Sequence, residues 1–73
     1  MTQTLPEKVT IAVRAEVRRQ GVTQRWIGEQ LGLSQPQIWE RLHGEIEWRM
    51  SELERLAAAL QVPVTKFLPV VAA

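Results

Sequence analysis

The residues with chemistry to offer gather between Thr23 and Gly44, in the run TQRWIGEQLGLSQPQIWERLHG. If Gln35 to His43 is a helix, Ile38 and Leu42 turn inward, and Pro36, Glu40 and His43 point out. Gln35 and Trp39 then share one flank, Gln37 and Arg41 the other. A glutamine amide donates and accepts at once, which matches the N6 and N7 edge of adenine, and a glutamate can accept from a cytosine amine. Glu40 fits equally well as a plain solvent residue that phosphate repels. Pro36 loses no helical hydrogen bond so near an N-terminus, and its ring suits a thymine methyl. Trp39 is compatible with packing on a neighbouring helix, lying over a sugar–phosphate backbone or meeting a partner chain, and packing is the simplest of these. Arg25, near the start of the preceding helical stretch, can face a phosphate together with free backbone N–H groups.

Catalysis is poorly served by this composition. The chain has no Asp, Cys, Asn or Tyr, one His and two Ser. A nucleophile–base pair would have to join Ser34 or Ser51 to His43, and Ser34 is better explained as a helix cap. There is no glycine-rich phosphate loop. Without cysteine there is no disulfide framework and no thiolate metal site, and a lone histidine does not make a metal site. No enzymatic activity, metal, cofactor or small-molecule ligand is expected.

Two short helices hinged at a glycine would position these residues. Thr23 can N-cap the first, whose buried stripe is Ile27 and Leu31, with Gly28 on the side where another helix can approach. Gly32 supplies a left-handed turn residue, Leu33 drops into the core and Ser34 caps the second helix. Gly44 ends that helix after Ile38 and Leu42. Helix, glycine turn, helix is the helix-turn-helix pattern, here spanning residues 23–44.

Thr23-Gln24, Gly28, the run Gly32-Leu33-Ser34-Gln35, Ile38 and Gly44, followed by SELERLAAALQVPV, resemble the Cro/repressor-type (lambda-repressor-like, XRE) DNA-binding domain from about Val9 to about Leu68. The resemblance implies an all-α, compact five-helix domain whose second motif helix lies in the DNA major groove. It implies that Gln35 reads a base edge and that Gln24 contacts phosphate and braces Gln35, with Pro36, Gln37 and Glu40 at other groove-facing positions. It also implies a phosphate contact for His43, in competition with capping of the helix end. Arg41 joins Gln24, Arg25 and His43 in the phosphate-facing set. Arg14, Trp39 and Arg49 are flanking candidates. The sequence departs from the family pattern in three places. Arg41 replaces an apolar residue, Glu45 and Glu47 make an acidic loop where a basic one is common, and Gln61 stands where glycine is usual.

A chain of 73 residues with a net charge of +1 is one small domain, residues 1–73; such domains bury only roughly 60% of their unfolded surface. The basic residues Arg14, Arg18, Arg19 and Arg25 lie before and at the motif, while the acids gather later. A solvated face is the plainer account of Arg14, Arg18 and Arg19; the other is that one or two approach phosphates. Thr4 with Glu7 makes a capping box for a first helix that runs to Gln20 and stops at Gly21, with Val9, Val13 and Val17 on one face. Trp26 and Trp48 are expected as core-edge anchors, with Ile46 turned inward beside Trp48. Ser51 with Glu54 makes a second capping box before the stripe of Leu53, Leu56, Ala57 and Leu60. Pro63 opens a short fifth helix through Phe67 and Leu68, and residues 69–73 form a short apolar tail.

No membrane span or signal peptide is visible, so a bacterial or phage cytoplasmic protein, associated with the nucleoid, is expected. The expected partner is a double-stranded DNA operator bound by a homodimer, with Phe67, Leu68, Val70 and Val71 as candidate dimer contacts. The lack of a second domain favours a Cro-like repressor. A protein-binding helix-turn-helix module, such as an antitoxin or anti-repressor, is the alternative, and the acidic loop and three tryptophans speak for it.

Overall fold

Each of the first three helices starts at a hydroxyl that fills the empty donor positions of its opening turn. Thr4 Oγ1 accepts from the Glu7 N–H at 3.3 Å and opens α1, Leu5–Gln20. Thr23 Oγ1 accepts from the Trp26 N–H at 3.0 Å and opens α2, Gln24–Leu31. For α3, Gln35–Leu42, the cap is reciprocal: Ser34 Oγ accepts from the Gln37 N–H at 3.3 Å, and Gln37 Oε1 accepts from the Ser34 N–H at 2.9 Å. The structure, a computed structural model, describes residues 2–69. Among these it is all-α, with four α-helices, a final 3-10 turn and no strand.

The fourth helix, α4 (Met50–Leu60), begins earlier than the expected cap at Ser51. Glu52 Oε1 accepts from the Arg49 N–H at 3.0 Å, so Arg49 becomes the cap residue and Ser51 falls inside the first turn. The expected fifth helix is one 3-10 turn, Val64–Phe67. Pro63 before it and Pro69 after it leave no room for a longer element. Gln61 ends α4 in the left-handed region at φ 59°, with the Val62 N–H returning to the Ala57 oxygen at 3.0 Å. That closure is the one glycine normally supplies.

The core takes Val13 from α1, Ile27 and Leu31 from α2, Ile38 and Leu42 from α3, and the α4 stripe of Leu53, Leu56, Ala57 and Leu60. Phe67 is fully buried and has the largest volume of the fully buried side chains, because the 3-10 turn packs it against α1 and α4. It is therefore part of the core and not spare apolar surface. Trp48 is buried and Trp26 packs at the core edge, as expected. Ile46 is 41% exposed instead of inward. The chain after Gly44 folds back on α3, with the Glu45 N–H on the Glu40 oxygen at 2.8 Å, and this leaves Ile46 outside.

Two buried residues carry charge, Glu16 and Arg41, and the first ties α1 to the rest of the fold. The Glu16 side chain is 2% exposed and is paired with Arg19, with Lys66 Nζ 3.5 Å away. Gln20 Nε2 bridges the Glu16 carboxylate at 2.7 Å and the Leu60 carbonyl at 3.0 Å, tying α1 to the end of α4. Hydrogen bonds from Arg19 and then Gln20 hold the Glu16 carboxyl down from its ordinary 4.5 to about 2, against the effect of burial.

Between α2 and α3 the backbones nearly touch. A Cβ on Gly28 would lie 2.6 Å from the Leu33 carbonyl oxygen, and the Leu33 N–H donates to the Gly28 oxygen at 3.0 Å. Gly28→Ala therefore destabilises the protein by about 1–3 kcal/mol, although alanine is the better helix former by about 1 kcal/mol. Equilibrium urea unfolding measures this against Gln30→Ala on the exposed face of α2, expected within about 0.5 kcal/mol of the parent. A Gly28→Ala protein as stable as the parent removes the close approach as a constraint.

The Glu16 pairing has a pH signature. Its folded pKa lies below its unfolded one, so its contribution is complete above about pH 4.5 and is lost as pH falls towards about 2. Urea midpoints of the parent fall through that window, and Glu16→Gln flattens the fall. An equally steep acid loss in the variant locates the sensitivity elsewhere.

Candidate nucleic-acid interface

The capping box fixes the N-terminus of α3 and so the direction in which its first residues point. Gln35 and Pro36 are exposed, and no hydrogen bond engages the Gln35 amide among the described residues. Gln37 is exposed as well, but its Oε1 is spent on the Ser34 N–H, so only its amide donors are free. A two-point contact with adenine through Gln37 requires giving up the cap. Glu40 is half-buried on the same helix. Gln24 is half-buried at the start of α2, and no hydrogen bond joins it to Gln35 among the described residues. The Arg25 side chain is 79% exposed, 3.4 Å from Glu29 across one helical turn.

Arg41 leaves the phosphate-facing set. Its side chain is 8% exposed; Nε donates to Glu52 Oε1 at 2.9 Å and Nη1 to the Gln37 carbonyl at 3.0 Å. The position takes the place of an apolar core residue, and the guanidinium enters it only because Glu52 on α4 neutralises it. Burial acts to raise the Glu52 pKa, but hydrogen bonds from Arg41 and from the Arg49 N–H outweigh it and leave the carboxyl below its ordinary value. Arg49 itself is exposed at the cap of α4.

Trp39 is 45% exposed, and its ring stacks on His43, centroids 4.1 Å apart and planes inclined by 17°. His43 Nδ1 lies 2.9 Å from the Trp39 carbonyl, so one ring nitrogen caps the helix end and Nε2 stays without a partner among the described residues. The His43 ring borders a surface hollow of about 350 Å³ where α1, α2 and α3 meet. Arg14, Arg18 and Gln24 line the same hollow. Neither arginine makes an ion pair among the described residues. Arg18 stands four residues after Arg14 and so shares its helix face, a spacing that is visible in the sequence. Arg19, one residue further on, goes to Glu16 instead.

Of the candidate dimer contacts, Phe67 is excluded by its burial and Leu68 is half-buried against the core. Val70 and Val71 lie outside the described residues. No helix among those described is long and apolar enough to cross a membrane. No group of three His, Cys, Asp or Glu side chains among them is arranged to hold a metal ion.

Residues 7–72 match the BetR domain, and the chain belongs to that family of small helical, DNA-binding-like domains, which makes it a helical regulatory module. No curated protein and no solved structure matches it.

The buried pair gives a test of its own. Arg41→Ala leaves the Glu52 carboxylate without its main partner and costs about 3–5 kcal/mol, towards the lower value because Glu52 keeps some solvent contact. Replacing both residues by leucine loses less than the two single changes added together. Additive losses in denaturant titrations place the two residues in separate environments.

Proposed function

We propose that the protein is a sequence-specific double-stranded DNA-binding transcriptional regulator of the Cro-like repressor kind, acting by occupying an operator in a bacterial cytoplasm. On this reading α2, the Gly32–Ser34 turn and α3 are a helix-turn-helix, and the N-terminal half of α3 enters the major groove. The observation that carries it is the exposed, unspent amide of Gln35 beside Pro36, on a helix held at one end by the Ser34–Gln37 cap and at the other by Arg41 and Glu52. A side chain that discriminates bases needs its scaffold fixed, because a bidentate contact is lost on small displacements. The cation-lined hollow beside the C-terminal end of α3 supplies the complementary phosphate contact.

One eight-residue helix reads only a few base pairs, so two copies on adjacent half-sites are required for a useful operator affinity. With Phe67 in the core, the homodimer contact falls to Leu68 and the exposed apolar residues near it. Leu5 is 61% and Met50 56% exposed, and both border one groove with Leu68 and Pro69.

Selection of bound sequences from random duplex DNA tests the function. A two-fold symmetric consensus is expected, and no enrichment returns the fold to the protein-binding class. Once a site is selected, Gln35→Ala weakens binding to it by about 1–3 kcal/mol and leaves affinity for random duplex nearly unchanged. Equal losses on both in a gel-shift titration take base reading away from Gln35.

A further inference from the structure

We propose that the hollow where α1, α2 and α3 meet is a proton-linked phosphate clamp, in which His43 takes up a proton as a duplex backbone phosphate enters. This linkage rests on the DNA-binding reading above and adds to it a dependence on pH.

The tautomer is set by the fold. A carbonyl oxygen only accepts, so the 2.9 Å contact between His43 Nδ1 and the Trp39 oxygen requires the hydrogen on Nδ1. In the neutral ring Nε2 is then a bare lone pair, which repels a phosphate oxygen. In the protonated ring Nε2 becomes a donor, and its bond to phosphate is charge-assisted.

The surroundings couple that proton to an anion. Arg14 and Arg18 from α1 line the hollow with His43, and α2 contributes only the neutral Gln24. A phosphodiester that enters between the two guanidinium groups brings a negative charge beside the ring, and that charge favours the protonated form in the complex. Other charges reach the ring less directly: Glu7 of α1 and Glu47 of the α3–α4 loop border an adjoining hollow that also includes Arg14 and His43, and Glu40 lies on α3 itself. None of these acids lines the clamp. The phosphodiester does not titrate between about pH 5 and 8, where histidine changes charge, and His43 is the one histidine of the chain. His43 is therefore the first side chain to which a proton taken up in that interval is assigned, and the His43→Gln variant separates it from the carboxylates and the α-amino group.

The test uses the full chain and a mixed-sequence duplex, because a phosphate contact is independent of sequence. Affinity is measured at fixed salt from pH 5.5 to 8.5, with calorimetry in two buffers of different ionisation enthalpy to count protons. The expected result is proton uptake and an affinity that falls by up to about tenfold per pH unit for each protomer bound. His43→Gln abolishes the slope, and His43→Arg keeps at every pH the affinity that the parent shows at pH 5.5. Arg14→Ala weakens binding throughout and lowers the salt slope by about one. Where a variant fails to fold, the His43 ring proton signals of the parent, titrated with and without duplex, give the same answer. Binding without a pH slope, or with a slope unchanged in His43→Gln, overturns the linkage and leaves DNA binding standing. No binding of this duplex at low salt at any pH, together with no sequence enriched from random duplex DNA, overturns both.

Discussion

The contact between the Gly28 backbone and the Leu33 carbonyl fixes how α2 and α3 sit together, and every exposed residue of α3 inherits its position from it. At 2.6 Å from a missing Cβ, the turn has no freedom to move inward. Gly32 at φ 70° turns the chain left-handed just before the approach, and Leu33 then donates back to Gly28. The reversal therefore closes within three residues, and Ser34 is delivered to the start of α3 in extended conformation at ψ 162°, ready to cap. A larger residue at position 28 would push the turn away from α2, and α3 with it.

A domain this small gains little from apolar burial alone, and its polar ties do the work of a larger core. Arg41 and Glu52 hold α3 to the first turn of α4, while Glu52 also completes the cap of that turn. Glu16, through Arg19, Gln20 and Lys66, joins the end of α1 to the end of α4 and to the 3-10 turn. The two networks sit at opposite ends of α4. Glu16 is nearly cut off from water and Glu52 largely so, and each is surrounded by donors, which is the condition for a buried charge to hold a structure together instead of opening it.

The elements defined by local chemistry were legible in the sequence. Thr4, Thr23 and Ser34 announce their helices because a hydroxyl at that place meets a need the backbone creates within three residues. Gly21, Gly32 and Gly44 mark the ends for a similar local reason. What escaped depends on contacts between distant residues. Arg41 has the same flank position as Gln37 on a helical wheel, and only the arrival of Glu52, eleven residues later, shows that its charge is inside. The same holds for Phe67, whose neighbour Pro69 suggests an exit from the fold although the 3-10 turn sends the ring into the core. Glu16 looks like an ordinary solvent residue until Lys66 and Leu60 come to it. At the candidate interface the stack of Trp39 on His43 had a local signal, two aromatic rings four apart, whereas the grouping of His43 with Arg14 and Arg18 had none.

A net charge of +1 does not identify a nucleic-acid-binding protein, and its distribution in the fold matters more. Arg19 and Arg41 are used up internally by Glu16 and Glu52, which removes two cations and two anions and leaves the balance unchanged. Of the remaining bases, Arg14 and Arg18 share a hollow that no acid lines, Arg25 stands at the head of α2 and Arg49 at the head of α4. If those four meet phosphates, binding varies with salt by a slope of about 3.6 per protomer, and between 50 and 200 mM affinity falls on the order of a hundredfold. Purely electrostatic attraction is therefore weak at ordinary salt, and the acidic loop of Glu45 and Glu47 weakens it further on that side. On the proposed reading, a regulator built this way would hold loosely to random DNA. Its discrimination would then rest on the amide and ring contacts of α3 and on two copies binding together, and the rigidity of the α2–α3 turn would matter more to that function than total charge.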